Sequence, residues 1–135
     1  MNQKEMKDLA TVCAEKVQNA RTEIEFFTEP YKHCVIDNFF PEELANQCYT
    51  SFPSLESNEW ERTNAPDIEV NLRTKWTSEF DIPDGLLTAI RVMNSSVFLK
   101  SMSSLLEIPK LVPDPYYAGG GLNVTVSGGL LDVHV

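Results

Sequence analysis

The sequence predicts an α+β fold in which helices come first and β structure follows. From Met6 to Phe27, apolar residues recur every three or four positions, which is the spacing of one face of an amphipathic helix. In the closing stretch, 119–135, they recur at every second position over two short runs, which is the spacing of strands. With 135 residues, of which 42% are hydrophobic, the chain has the size and composition of one packed domain, so we expect a single domain over 1–135.

The pattern divides this expected domain into three parts. A leading helix is predicted over 1–28, mixed helix and strand over 29–112, and the start of a β core over 113–135. Pro30 ends the leading helix, because a proline disfavours helical geometry at the residue before it. The apolar face of this helix consists of Met6, Leu9, Cys13, Val17, Ala20, Ile24 and Phe27.

The middle part is predicted to contain two strands and three helices. β-Branched and aromatic residues indicate a strand from about Tyr31 to Ile36, and alternation in 68–76 indicates an edge strand. Helices are predicted where a residue suited to a helix start precedes an apolar stripe, over about 41–51, 84–93 and 95–108. The rest of 54–83 is irregular, and its expected packing anchors are Trp60 and Trp76.

Composition excludes several classes of partner. The formal net charge of −9 and the pI near 4.6 make the chain repel phosphate backbones and anionic surfaces, so neither nucleic acid nor a membrane is expected as a partner. The start of the chain lacks the apolar core of a secretory signal, and a cytoplasmic location is expected. Cys13, Cys34 and Cys48 show no C-x-x-C spacing, which indicates reduced, half-buried thiols rather than disulfides or a zinc site.

The closing sequence "LNVTVSGGLLDVHV" contains the one candidate metal ligand, His134. Gly128 and Gly129 fit neither a dinucleotide-binding nor a P-loop pattern and indicate a turn between two strands. On a strand, His134 and the next-but-one position point to the same side, which is the reach that two ligands need to share a metal ion. Judged from the residues alone, a single histidine on a strand is more typical of an ordinary side chain than of a ligand.

Two longer stretches carry a resemblance to a known family. "HCVIDNFFPEELANQCYTSFP" and "SLLEIPKLVPDPYYAGGGLNVTVSGGLLDVHV" resemble the N-terminal half of iron(II)- and 2-oxoglutarate-dependent dioxygenases of the prolyl 4-hydroxylase-like group. The resemblance extends from about Tyr31 to Val135 and is most specific over 112–135. It implies that the helices pack on the start of a double-stranded β-helix (jelly roll), and that the protein is a hydroxylase with Fe(II) as cofactor and 2-oxoglutarate as cosubstrate. Its substrate would be a small molecule or a protein side chain, and the loops expected to line the pocket are 60–76 and 114–121.

The resemblance implies one site residue. The family binds iron through a His-x-Asp on an early core strand and a distal histidine, and a basic residue beyond them pairs with 2-oxoglutarate. His134 matches the first of these ligands. The others do not follow it within the 135 residues, so we expect a truncated portion of an oxygenase, inactive and unstable alone, with no catalytic residue assigned. Many relatives also carry a cosubstrate-binding tyrosine on the strand before the glycine turn, whereas 122–127 contains none.

Two other classes of protein stay open. A non-catalytic binding module would present the helices at Met6–Phe27 and Asp84–Ile108, packed on a small sheet, to a partner. A cupin-type jelly roll would bind a metal through His134 together with other ligands. His33, the other histidine, lies on an early predicted strand and is expected to be a core or surface residue.

Overall fold

The computed structural model of the chain describes residues 1–20 and 26–133. These residues form an α+β protein with four α-helices and small antiparallel sheets, which confirms the predicted α+β class. None of the described helices is long and apolar enough to cross a membrane.

The chain divides into two compact units. The helical unit comprises Met1–Ser51 and Asp84–Asp114, and the sheet unit comprises Phe52–Pro83 and the chain from Pro115 onward. All of the described α-helices lie in the helical unit, and the four-stranded sheet lies in the sheet unit. The single domain expected from chain length stays a prediction.

The helical unit contains, among its described residues, α1 (Gln3–Ala20), β1 (Phe26–Phe27), β2 (His33–Cys34), α2 (Glu42–Thr50), α3 (Asp84–Met93) and α4 (Ser96–Leu106). The first strand and the three helices predicted for the middle part are therefore confirmed, most of them with shorter bounds. α4 begins where its sequence signal indicates, because the Ser95 hydroxyl accepts a hydrogen bond from the Phe98 N–H at 3.2 Å.

The leading helix is shorter than its apolar pattern predicted. Among the described residues α1 spans Gln3–Ala20, and Phe27 belongs to β1, where it pairs with His33 of β2 in antiparallel register. The prediction that the helix reaches Phe27 is wrong, because pairing between two strands decides the place of this residue although its spacing fits a helix. Ile24, another position of the predicted apolar face, lies outside the described residues.

The core of the helical unit lies where α1 packs against α3 and α4. Ala10, Cys13 and Val17 of α1 and Val92 of α3 are each at most 1% exposed. Burying a side chain such as Val92 stabilises the fold by about 1.5–3 kcal/mol. These contacts confirm the apolar face of the leading helix up to Ala20.

The sheet unit is built around a central strand. Its strands are β3 (Glu61–Ala65), β4 (Glu69–Arg73), β5 (Asn123–Val124) and β6 (Leu130–Leu131), and every pairing is antiparallel. β3 pairs along one side of β4, while β5 and β6 pair one after the other along the opposite side. The edge position predicted for the strand in 68–76 is therefore wrong, because strands flank it on both sides.

The turn predicted at Gly128 and Gly129 is confirmed. The Gly129 N–H donates to the carbonyl of Val126 at 2.7 Å, and Gly128 has a φ of +79°, a left-handed conformation that glycine adopts without strain. β5 and β6 lie on either side of this turn, as predicted, although each is only two residues long. Within the described residues the sheets have two and four strands, so the jelly roll stays a prediction.

Candidate functional site

His134, the predicted metal ligand, lies outside the described residues. The strand that leads to it is anchored on the central strand of the sheet unit. β6 pairs with β4, and the Asp132 N–H donates to the carbonyl of Ile68 at 2.8 Å. Among the residues that the structure describes, no group of three or more His, Cys, Asp or Glu side chains could hold a metal ion.

Trp76 and the loop 114–121 are both predicted to line a pocket, and Trp76 meets the part of this loop that lies in the sheet unit, residues 115–121. Trp76 is 7% exposed, and its backbone N–H donates to the carbonyl of Gly120 at 3.0 Å. The Thr74 N–H donates to the carbonyl of Leu122 at 2.9 Å, and the Thr74 hydroxyl accepts from the Leu122 N–H at 2.8 Å. These bonds continue the pairing of β4 and β5 and hold the end of the loop beside Trp76.

Close backbone approach explains the glycines of this loop. A Cβ on Gly121 would lie 2.1 Å from the carbonyl oxygen of Thr74, which is far inside van der Waals contact. Gly119 has a φ of +77°, and a 2.7 Å hydrogen bond from the Gly120 N–H to the carbonyl of Tyr117 closes the turn. The loop is therefore rich in turns, as its sequence indicated.

Trp60 packs within its own segment. Its indole N–H donates to the carbonyl of Ser54 at 2.7 Å, and its ring centroid lies 5.8 Å from that of Phe52. The side chain is half-buried. These contacts confirm that Trp60 is a packing anchor, whereas a role in lining a pocket stays a prediction.

Sequence reasoning missed a buried polar pair on β3 and β4. Thr63 and Asn71 are register partners, so their side chains lie on the same face of the sheet. Asn71 is 3% exposed, and the buried Asn71 Oδ1 and Thr63 Oγ1 find no hydrogen-bond partner among the described residues. Leaving a buried polar atom unpaired costs about 1–3 kcal/mol. The available signal was a polar Asn71 between Val70 and Leu72 in an alternating strand.

His33 is a packing residue of the β1–β2 hairpin. Its ring stacks on that of Phe27 with a centroid separation of 4.9 Å and an interplanar angle of 16°. Its Nδ1 lies 2.8 Å from the carbonyl oxygen of Tyr31, and the side chain is half-buried. The prediction that His33 is a core or surface residue is therefore confirmed.

The three cysteines are free thiols. Cys34 and Cys48 are half-buried, as predicted. The same prediction is wrong for Cys13, which is 0% exposed because it lies on the face of α1 that packs into the core of the helical unit. Burial raises the pKa of all three thiols, which lowers the fraction of thiolate at neutral pH. Because the thiolate is the nucleophile and the metal ligand, these side chains are poorly suited to either role.

Comparison of the chain with protein-family models, curated proteins and solved structures found no match. The class that the fold defines is therefore an α+β protein with a helical unit and an antiparallel sheet unit.

Proposed function

We propose that this chain is the N-terminal portion of an Fe(II)- and 2-oxoglutarate-dependent dioxygenase, a hydroxylase of the prolyl 4-hydroxylase-like group. The observation that carries the proposal is the stretch 112–135, where the resemblance to this family is most specific. Its fold supports the proposal, because β5 and β6 add to an antiparallel sheet centred on β4, as early strands of a double-stranded β-helix would. In the sequence, His134 comes three positions after the last residue of β6.

The residues that the structure describes do not fit the iron by themselves. A facial triad needs two histidines and one carboxylate, and it leaves open positions for the cosubstrate and oxygen. No group of three ligating side chains occurs in the described part of the chain. His134 would supply one ligand. The complete set, with a carboxylate and a second histidine, would have to draw on further residues that the structure does not describe.

The proposed substrate is a small molecule or a protein side chain. A net charge of −9 disfavours nucleic acid. Residues 60–76 and the loop 114–121 are the proposed lining of the substrate pocket, and a backbone hydrogen bond from Trp76 to Gly120 joins these two segments. A cytoplasmic location belongs to the same proposal, since three free thiols fit a reducing compartment.

A non-catalytic binding module is the second candidate. It is favoured by apolar side chains exposed on the sheet unit, a feature of interaction surfaces. Ile68 is 61% exposed, Leu131 52% and Val133 98%. Such a module would bind its partner equally well with and without Fe(II), which separates it from the oxygenase.

The coding DNA beyond Val135 tests the oxygenase proposal at the level of the ligand set. The proposal requires an Asp codon at position 136, completing the His-x-Asp, and a later histidine followed by Arg or Lys. A stop codon directly after Val135, or a residue at position 136 that cannot bind iron, contradicts the proposal and favours the binding module.

A further inference from the structure

A short strap folds back along α4 in the helical unit. After α4 the chain reverses at Glu107, which has a φ of +59° and whose N–H donates to the carbonyl of Ser103. The Ser103 hydroxyl then accepts a hydrogen bond from the Leu111 N–H at 3.2 Å. Pro109 and Pro113 restrict the backbone of the strap, because the proline ring fixes φ. The strap, residues 107–113, is therefore a defined wall beside the helix.

Between α4 and this strap lies a groove of about 560 Å³. Its volume falls in the range of about 300–1,000 Å³ that is typical of small-molecule sites. Its apolar lining comprises Leu99, Leu111, Val112 and Pro113.

The charged residues that line the groove are both positive, although the chain as a whole carries −9. They are Lys100 on α4 and Lys110 on the strap, and both are exposed. Within the described part of the chain, neither ammonium group forms an ion pair or a hydrogen bond with a side chain or a carbonyl. Ser96, the first residue of α4, lines the groove as well, so the positive end of the helix dipole lies beside it.

We propose that this groove binds an anionic amphiphile, a carboxylate with an unbranched aliphatic tail. The tail would lie against the apolar lining, and the carboxylate would pair with Lys100 and Lys110. A single exposed ion pair contributes little to the free energy of binding. Here two lysines would share one carboxylate, so charge recognition would add to the hydrophobic contact of the tail. This inference is independent of iron and of the oxygenase proposal.

The test uses decanoate as the probe and the protein expressed from the complete reading frame that contains these 135 residues. NMR titration should show saturable shifts for the signals of Leu99 and Val112. Decanol and decyltrimethylammonium, with the same tail but no negative charge, should bind at least about threefold more weakly. If decanoate produces no saturable shifts in the low millimolar range, or if the cationic probe binds as tightly, the proposal is overturned.

Variants locate the site. Lys100→Gln with Lys110→Gln should weaken decanoate binding by roughly tenfold, and Val112→Asp by at least as much through repulsion. Val112 is 79% exposed, so this change is compatible with folding. The control replaces the same number of positive charges on α1, Lys4→Gln with Lys7→Gln, and should leave binding within about twofold. Equal losses in the control and the groove variants would show a general charge effect and overturn the site.

Discussion

Replacement of Gly121 by alanine should destabilise the sheet unit. The added Cβ would lie 2.1 Å from the carbonyl oxygen of Thr74 and 3.0 Å from its carbonyl carbon. Both atoms belong to the backbone, so no change of rotamer relieves the contact, and the loop has to move by about 1 Å to reach ordinary separation. Overpacking of this kind costs about 1–3 kcal/mol.

The same movement would break hydrogen bonds that hold the loop on the sheet. Thr74 and Leu122 share two hydrogen bonds, at 2.9 and 2.8 Å, and the Trp76 backbone N–H donates to the carbonyl of Gly120 at 3.0 Å. At about 0.5–1.5 kcal/mol net for each bond, losing two or three costs roughly 1–4.5 kcal/mol. The two ranges overlap, and we expect the free energy of unfolding of the sheet unit to fall by about 2–3 kcal/mol.

Urea denaturation followed by the fluorescence of Trp60 and Trp76, both in the sheet unit, measures this loss. Hydrogen exchange of the Trp76 amide should accelerate by roughly 30–150-fold, the factor that corresponds to about 2–3 kcal/mol. The control is Gly119→Asn, because a Cβ at Gly119 meets nothing within 4 Å and asparagine tolerates a positive φ. We expect this control to cost less than about 1 kcal/mol.

Two results would refute the reasoning. If Gly121→Ala unfolds at the wild-type urea concentration and keeps its Trp76 amide protected, the loop is not held against Thr74 as the structure has it. If Gly119→Asn loses as much stability as Gly121→Ala, backbone conformation rather than close approach decides the requirement for glycine.

Three further changes have defined outcomes. Gly85→Ala should lower the free energy of unfolding by about 1–2 kcal/mol in thermal or urea denaturation, although alanine favours helices, because the new Cβ would lie 2.7 Å from the Gln47 carbonyl oxygen; a raised midpoint contradicts this. The Asp81 carboxylate accepts hydrogen bonds from the backbone N–H and the hydroxyl of Thr77 and from the backbone N–H of Ser78, and these bonds lower its pKa. The stability that these bonds add is therefore present at a pH above the ordinary Asp pKa of about 3.9, and it is lost as the pH falls through the lowered pKa. Hydrogen exchange of the Thr77 and Ser78 amides measures this pH dependence, which Asp81→Asn should abolish. Cys13 should react last with a thiol reagent at pH 8, since it is 0% exposed and burial raises its pKa; labelling as fast as at the other two cysteines would contradict its burial.

The helices could be predicted because their signals are local. α3 and α4 each follow or begin with a residue suited to a helix start and carry an apolar stripe. Phe27 keeps the same spacing, yet its pairing with His33 on another strand decides its structure. The sequence of β3, Glu61–Ala65, shows no alternation of apolar and polar residues, so it contains no signal for a strand. Because β3 is not predicted, the pattern of β4 indicates an edge strand.

The candidate site could be predicted only in part. The alternation around Gly128 indicated the turn and the strands that lead to His134, while the role of His134 as a ligand depends on the resemblance. The Thr63–Asn71 pair required the register of a strand that had no sequence signal. The groove beside α4 depends on a chain reversal at Glu107, which has a left-handed backbone conformation. Glutamate rarely adopts this conformation, so no signal in the sequence indicates the reversal.

The role of His134 is tested most directly by Fe(II)-dependent formation of succinate from 2-oxoglutarate. The assay compares wild type, His134→Ala and His33→Ala, each expressed from the complete reading frame that contains these 135 residues. We predict turnover in wild type and in His33→Ala, because His33 packs on Phe27, and a loss of at least about 100-fold in His134→Ala, since a ligand matters at least as much as the groups that orient it. Turnover that survives in His134→Ala, or a wild type that forms no succinate with Fe(II), would contradict the assignment.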